Sequence, residues 1–72
     1  MDNEEALKLA YKIKFERDKR NLSQEELAEY SGVSVSTIKN LERGIGNITV
    51  KNLCKIAKVL ELDLGILTNF KF

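Results

Sequence analysis

Between residues 22 and 44 the chain reads LSQEELAEYSGVSVSTIKNLERG, and five side chains in its second half stand where a small core has no use for them. Val35, Ser36, Lys39, Asn40 and Arg43 fall off the apolar line that Ile38 and Leu41 draw at helical spacing. Asparagine carries donor and acceptor together, serine a hydroxyl that serves as either, and lysine and arginine a positive charge. Such a face suits recognition through hydrogen bonds and charge. It makes no provision for breaking covalent bonds.

The rest of the chain agrees. With no histidine among 72 residues, acid–base work would fall to carboxylates, lysine or tyrosine, and no cluster of these is visible. Cys54 lies beside Leu53 and Ile56 in a helical pattern, a setting for packing rather than for an activated thiolate. One cysteine leaves no internal disulfide, and without histidine a zinc site has almost no ligands. GIG at 44–46 lacks the preceding strand and the lysine of a phosphate-binding loop. The expectation is a non-enzyme without cofactor or metal. No run approaches the ~18 apolar residues of a membrane span. The acidic start MDNEEALK is unlike a signal or transit peptide, so the chain reads as cytoplasmic.

Apolar residues make up 43% of the chain and charged residues 32%, an ordinary globular balance for one domain, 1–72. A net charge of +1 says little, but its distribution says more. Residues 1–32 carry six basic against eight acidic side chains. Residues 33–58 carry Lys39, Arg43, Lys51, Lys55 and Lys58 against Glu42 alone. Positive charge is gathered in the middle third, where a surface facing a polyanion would be built.

The elements that must hold this face are marked by a repeated device. In a hydrophobic staple, the residue before a helix N-cap packs on the residue five positions later. Leu22–Leu27 brackets Ser23, Val33–Ile38 brackets Ser34, Ile48–Leu53 brackets Thr49, and Leu62–Leu67 brackets Asp63. Each bracketed side chain can accept from a first-turn N–H, and Ser23 with Glu26 completes a capping box. Asn21, Gly32 and Gly44 are suited to the left-handed residue that closes a helix. Helices are therefore predicted near 3–20, 24–31, 35–43, 50–60 and 64–68, with no strands: an all-α bundle of five short helices. Helical spacing assigns Ala6, Leu9, Ala10, Ile13, Leu27, Ala28, Ile38, Leu41, Leu53, Ile56, Ala57 and Leu60 to the core. A second stripe on the first helix, Leu7, Tyr11 and Phe15, is expected to pack under Phe70 and Phe72, with a partner-facing patch as the alternative.

Residues 22–44 resemble the helix-turn-helix of the Cro and phage-repressor (lambda repressor-like) family of DNA-binding proteins. The resemblance rests on Leu22, Gln24, Leu27–Ala28, Gly32–Val33–Ser34, Ile38 and Leu41–Glu42–Arg43–Gly44. It continues through NITVKNLCKIAKVLEL and back to Ile13 and Arg17. It implies the same five-helix bundle, with the helix-turn-helix at about 24–43 and a recognition helix at 35–43 in the major groove of double-stranded DNA. Carried over residue by residue, it makes Val35, Ser36 and Asn40 the base readers. Ser23, Gln24, Ser34, Lys39, Arg43, Asn47, Thr49 and Lys51 become phosphate contacts, and Arg17 with Glu42 a structural ion pair. Two departures stand out. Val35 is apolar where relatives often carry a polar reader, and Ile48 replaces a common proline.

The resemblance also implies a homodimer on a palindromic operator, with Leu62, Leu64, Ile66, Leu67, Phe70 and Phe72 as the candidate interface. Chains of this kind are similar to small phage repressors and to restriction–modification controller proteins, which regulate transcription. Glu25 and Glu29, one turn apart, read as an ordinary solvated face. In some family members acidic residues here touch the sigma subunit of RNA polymerase. The rival reading is a protein-interaction module, such as an antitoxin that masks a toxin.

Overall fold

The computed structural model describes residues 3–62. They form four helices: α1 (Asn3–Lys19), α2 (Gln24–Ser31), α3 (Val35–Glu42) and α4 (Val50–Val59). No strand occurs among the described residues. The predicted fifth helix, at 64–68, lies outside them, as do Leu64, Ile66, Leu67, Phe70 and Phe72. The described fold is thus four helices rather than five. Three helices end one residue earlier than expected, at Lys19, Glu42 and Val59.

The N-terminal ends form because a side-chain oxygen replaces the missing carbonyl of a previous turn. Ser23 Oγ accepts from the Glu26 N–H at 2.9 Å, while Glu26 Oε1 accepts from the Ser23 N–H at 2.8 Å. Ser34 Oγ accepts from the Thr37 N–H at 3.2 Å, and Thr49 Oγ1 from the Asn52 N–H at 3.0 Å. In α1, Glu4 and Glu5 occupy the first turn and Arg17 and Lys19 the last, each sign favourable to the helix dipole.

The C-terminal ends of α1, α3 and α4 share one geometry. Asn21, Gly44 and Glu61 are left-handed, with φ of 57°, 74° and 55°. The N–H of each donates three residues back, and the next N–H donates five back, as in Leu22 to the Arg17 carbonyl and Leu62 to the Ala57 carbonyl. Gly32 closes α2 through one bond to the Ala28 carbonyl. Asn21 and Gly32 are legible as stops, but Glu61 is not, because glutamate rarely adopts this conformation. Gly44 is constrained twice over. Beyond its positive φ, a Cβ there would lie 2.8 Å from Leu7 Cδ2.

α1 packs on α3, and α2 on both α3 and α4. Leu9, Ile13, Leu27, Ile38, Ile56 and Leu60 are fully buried between them, with Leu22, Ile48 and Leu62 closing over the edges; Cys54, expected to pack beside Leu53 and Ile56, is instead exposed. The second stripe on α1 is open: Leu7, Tyr11 and Phe15 are 47%, 72% and 61% exposed. The residues expected over it, Phe70 and Phe72, are outside the described part.

A buried carboxylate was not foreseen. Glu16 takes an ion pair from Arg20 at 2.6 Å and one from Lys12 at 3.1 Å. The hydrogen bond from Arg20, then that from Lys12, lowers its pKa from 4.5 against the opposing effect of burial. A lowered folded pKa means that its stabilisation is complete above the ordinary glutamate range and lost as pH falls through the folded value. Glu16→Gln should therefore destabilise the protein at neutral pH and flatten the acid side of its stability curve, measured as urea midpoints against pH. In the same assay, Glu61→Gly should stabilise by up to about 1 kcal/mol by relieving a left-handed non-glycine residue. Gly44→Ala should cost about 1–3 kcal/mol, combining backbone strain with overpacking against Leu7.

Candidate nucleic-acid interface

The turn from Gly32 to Ser34 sets α3 across the end of α2, with Val33 buried beneath it. α3 is then held from its far end. Arg17, near the end of α1, donates from Nε to Glu42 Oε2 at 2.6 Å and from Nη2 to Glu42 Oε1 at 2.8 Å. Its Nη1 donates to the Leu22 carbonyl at 2.6 Å. Gln24, the first residue of α2, adds a bond from Nε2 to Glu42 Oε1 at 3.1 Å. The Glu42 side chain is only 3% exposed, and the paired carboxylate raises the Arg17 pKa, against the effect of burial. Three helices thus meet on one carboxylate, which becomes unavailable to anything outside.

The outward side of α3 is what remains. Ser36, Lys39, Asn40 and Arg43 are all exposed and lie at i, i+3, i+4 and i+7, so they form one continuous stripe. Val35, the first residue of α3 and the neighbour of Ser36, is half-buried. Asn40 also lines a hollow with Ala6, Thr37, Gly46 and Asn47. The α3–α4 loop therefore brings Asn47 up beside Asn40. The loop passes close enough that a Cβ on Gly46 would lie 3.9 Å from the Asn40 Cβ.

Ser23, Ser34 and Thr49 are exposed caps of α2, α3 and α4. Each hydroxyl oxygen is used inward as an acceptor. The proton on Ser23 and on Thr49 remains available to an anion. Ser34 shares a 2.8 Å hydroxyl–hydroxyl bond with Thr37, so this pair keeps one outward proton between them. Thr37 is a residue that sequence reasoning passed over. Its place three positions after the Ser34 cap, with a hydroxyl of its own, was the available signal. Gln24 is half-buried and differs from a freely offered phosphate ligand, since one of its amide hydrogens already serves Glu42. Its second hydrogen is left for an anion. Lys39, Arg43 and Lys51 make no ion pair among the described residues.

An exposed polar stripe on the second helix of a capped pair, buttressed from behind and flanked by free cations, defines a helix-turn-helix DNA-binding protein. The helix-turn-helix family model matches residues 13–67, and the chain belongs to that family. Over 56 residues, 78% of this chain, it is 42% identical to the control protein C.SmaI of Serratia marcescens, spanning 67% of that protein. Over 58 residues, 81% of the chain, it is 33% identical to the cryptic phage CTXphi transcriptional repressor RstR of Vibrio cholerae serotype O1. There it spans 52%, about half of the repressor's length. No solved structure matches. These relatives place the chain among helix-turn-helix regulators of transcription of the repressor and controller type.

Removing one partner of a buried ion pair strands the other, so Arg17→Ala or Glu42→Ala should each cost about 3–5 kcal/mol. Gln24→Ala should cost about 1 kcal/mol. The Arg17→Ala/Glu42→Ala double variant should lose much less than the sum, a coupling that urea unfolding of the four-member cycle measures directly.

Proposed function

We propose that the protein is a sequence-specific regulator of transcription that binds double-stranded DNA as a homodimer on an inverted repeat, with α3 in the major groove. The observation that carries this is the exposed stripe Ser36–Lys39–Asn40–Arg43 on a helix whose opposite side is locked to α1 and α2 through Glu42. The major groove admits such a helix and presents base edges to its side chains. Asn40 matches adenine by donor and acceptor together, Ser36 serves several bases, and the open part of Val35 suits a thymine methyl. Ser23, Gln24, Ser34, Lys39, Arg43, Asn47, Thr49 and Lys51 set the register on the phosphates, which carry no sequence information themselves.

A single recognition helix spans only a few base pairs, and this supports a dimer on two half-sites about one helical turn apart. Leu62, half-buried against the core, leads into Leu64, Ile66, Leu67, Phe70 and Phe72, the proposed interface. That relatives of this chain are a control protein and a transcriptional repressor favours repression or control of a promoter, including the protein's own. Glu25 and Glu29 are exposed, compatible with a sigma-subunit contact when bound beside a promoter. No described helix is long and apolar enough to cross a membrane, and the proposed place of action is the cytoplasm. One observation favours a second reading: the open Leu7–Tyr11–Phe15 stripe suits a protein partner, as in an antitoxin that masks a toxin.

Selection from random duplex DNA should return an inverted repeat. Asn40→Ala should weaken the winning site by about 1–3 kcal/mol, roughly 5- to 150-fold, and relax preference at one position per half-site. Lys39→Ala should weaken all sequences alike and reduce the slope of log affinity against log salt by roughly 0.9 per protomer. Sequence-blind binding throughout would overturn the proposal.

A further inference from the structure

Ser34, Thr37, Asn40 and Arg43 follow one another at intervals of three, a single row that runs from the N-cap of α3 to its end. Three of them are proposed to touch DNA. The fourth, Thr37, stands one turn from Ser34 and one turn from Asn40, and is half-buried. It also lines the hollow that Asn40 and Asn47 share. Its Oγ1 lies 2.8 Å from Ser34 Oγ, in a hydrogen bond in which either hydroxyl could donate. Ser34 Oγ accepts the Thr37 N–H as well, at 3.2 Å. No other side chain bonds to Thr37 among the described residues. The cap needs only that N–H, which any residue but proline would supply, so the hydroxyl on Thr37 is additional to it.

A hydroxyl has one proton and two lone pairs, which leaves this pair two arrangements. If Ser34 donates to Thr37, Ser34 has a lone pair left and no proton to offer. If Thr37 donates to Ser34, both lone pairs of Ser34 are taken and its proton points outward. Thr37 then keeps two lone pairs and no proton. A phosphate oxygen only accepts, so the proposed phosphate contact of Ser34 requires the second arrangement. Thr37 becomes an acceptor that can donate nothing. The donors in the major groove are the amino groups of adenine and cytosine. Along the helix axis Thr37 is about 4.5 Å from Asn40, close to the ~3.4 Å step between base pairs. We infer that Thr37 is a further base-reading residue: its Oγ1 accepts from the amino group of an adenine or cytosine next to the base that Asn40 reads, and the phosphate held by Ser34 enforces that choice. The inference rests on the DNA-binding reading above and adds one base to its code.

Sites selected by the parent protein should hold adenine or cytosine at one position per half-site, beside the position that Asn40→Ala relaxes. Thr37→Val, which keeps the shape and loses the hydroxyl, should relax that position alone. It should weaken the best site by roughly 2- to 13-fold per half-site, the worth of one neutral hydrogen bond. Unsubstituted purine in place of the adenine, or a pyrimidinone in place of the cytosine, removes the amino group. That change should weaken the parent by the same factor and leave the affinity of Thr37→Val as it is. The analogue measurement on the parent does not depend on any variant folding. Ser34→Ala releases the Thr37 proton and should admit guanine and thymine at the same position, through O6 and O4. Equal weakening of every sequence by Thr37→Val would make Thr37 a phosphate contact and overturn the inference. So would a thymine preference read by its methyl group, or indifference of the parent to the amino-free analogues. In each of these cases the parent keeps its selected site and the proposed function stands. Sequence-blind binding by the parent would overturn the function and the inference together.

Discussion

Everything the protein offers to DNA depends on one carboxylate that never sees it. Glu42 lies at the last turn of α3, buried, and accepts two bonds from Arg17 and one from Gln24. Removing a carboxylate from water is expensive, and only charge-assisted bonds of good geometry offset that cost. Because those bonds come from α1 and α2, they tie the rotation of α3 to the rest of the bundle. A side chain that reads base edges must arrive within a few tenths of an ångström. A helix of two turns held only by Ile38 and Leu41 would have little to stop it rolling. Gln24 joins two roles, since its amide steadies Glu42 with one hydrogen and keeps another at the N-terminus of α2 for an anion.

The helix ends explain how so few residues hold a definite shape. Short helices gain little from propensity and depend on their caps and on tertiary packing. Here every described N-cap hydroxyl is engaged inward by an N–H, and three of the four C-terminal ends share one left-handed closure. The same residues that stop the helices place their neighbours, since Leu22 and Leu62, just past the closures of α1 and α4, turn back onto the core. The caps that start α2, α3 and α4 also stand at the surface with hydroxyl protons to spare. Local folding signals and candidate anion contacts are in this protein largely the same atoms.

Charge is distributed by the same economy. Among the described acidic residues, Glu16 and Glu42 are paired within the fold, while Glu25, Glu26 and Glu29 stand exposed together on α2. Among the described residues, Lys39 and Arg43 at α3 and Lys51, Lys55 and Lys58 on α4 make no ion pair. A net charge of +1 thus conceals two faces of opposite sign, and it is the faces, not the sum, that a polyanion meets.

Much of this was legible in the residues themselves. Capping and helical periodicity are local rules, so the positions of four helices, the stops at Asn21, Gly32 and Gly44, and most of the core followed from spacing alone. So did the polar stripe on α3, because residues at i, i+3, i+4 and i+7 share a face whatever surrounds them. What the sequence could not determine is what comes from elsewhere to meet each face. The Gln24 bond to Glu42 joins residues 18 apart, and Asn47 beside Asn40 depends on how the α3–α4 loop folds back. The burial of Glu16 and the left-handed Glu61 go against each residue's own preference. Such choices are made by the packed whole, in which a local cost is accepted because the surrounding contacts leave no better place.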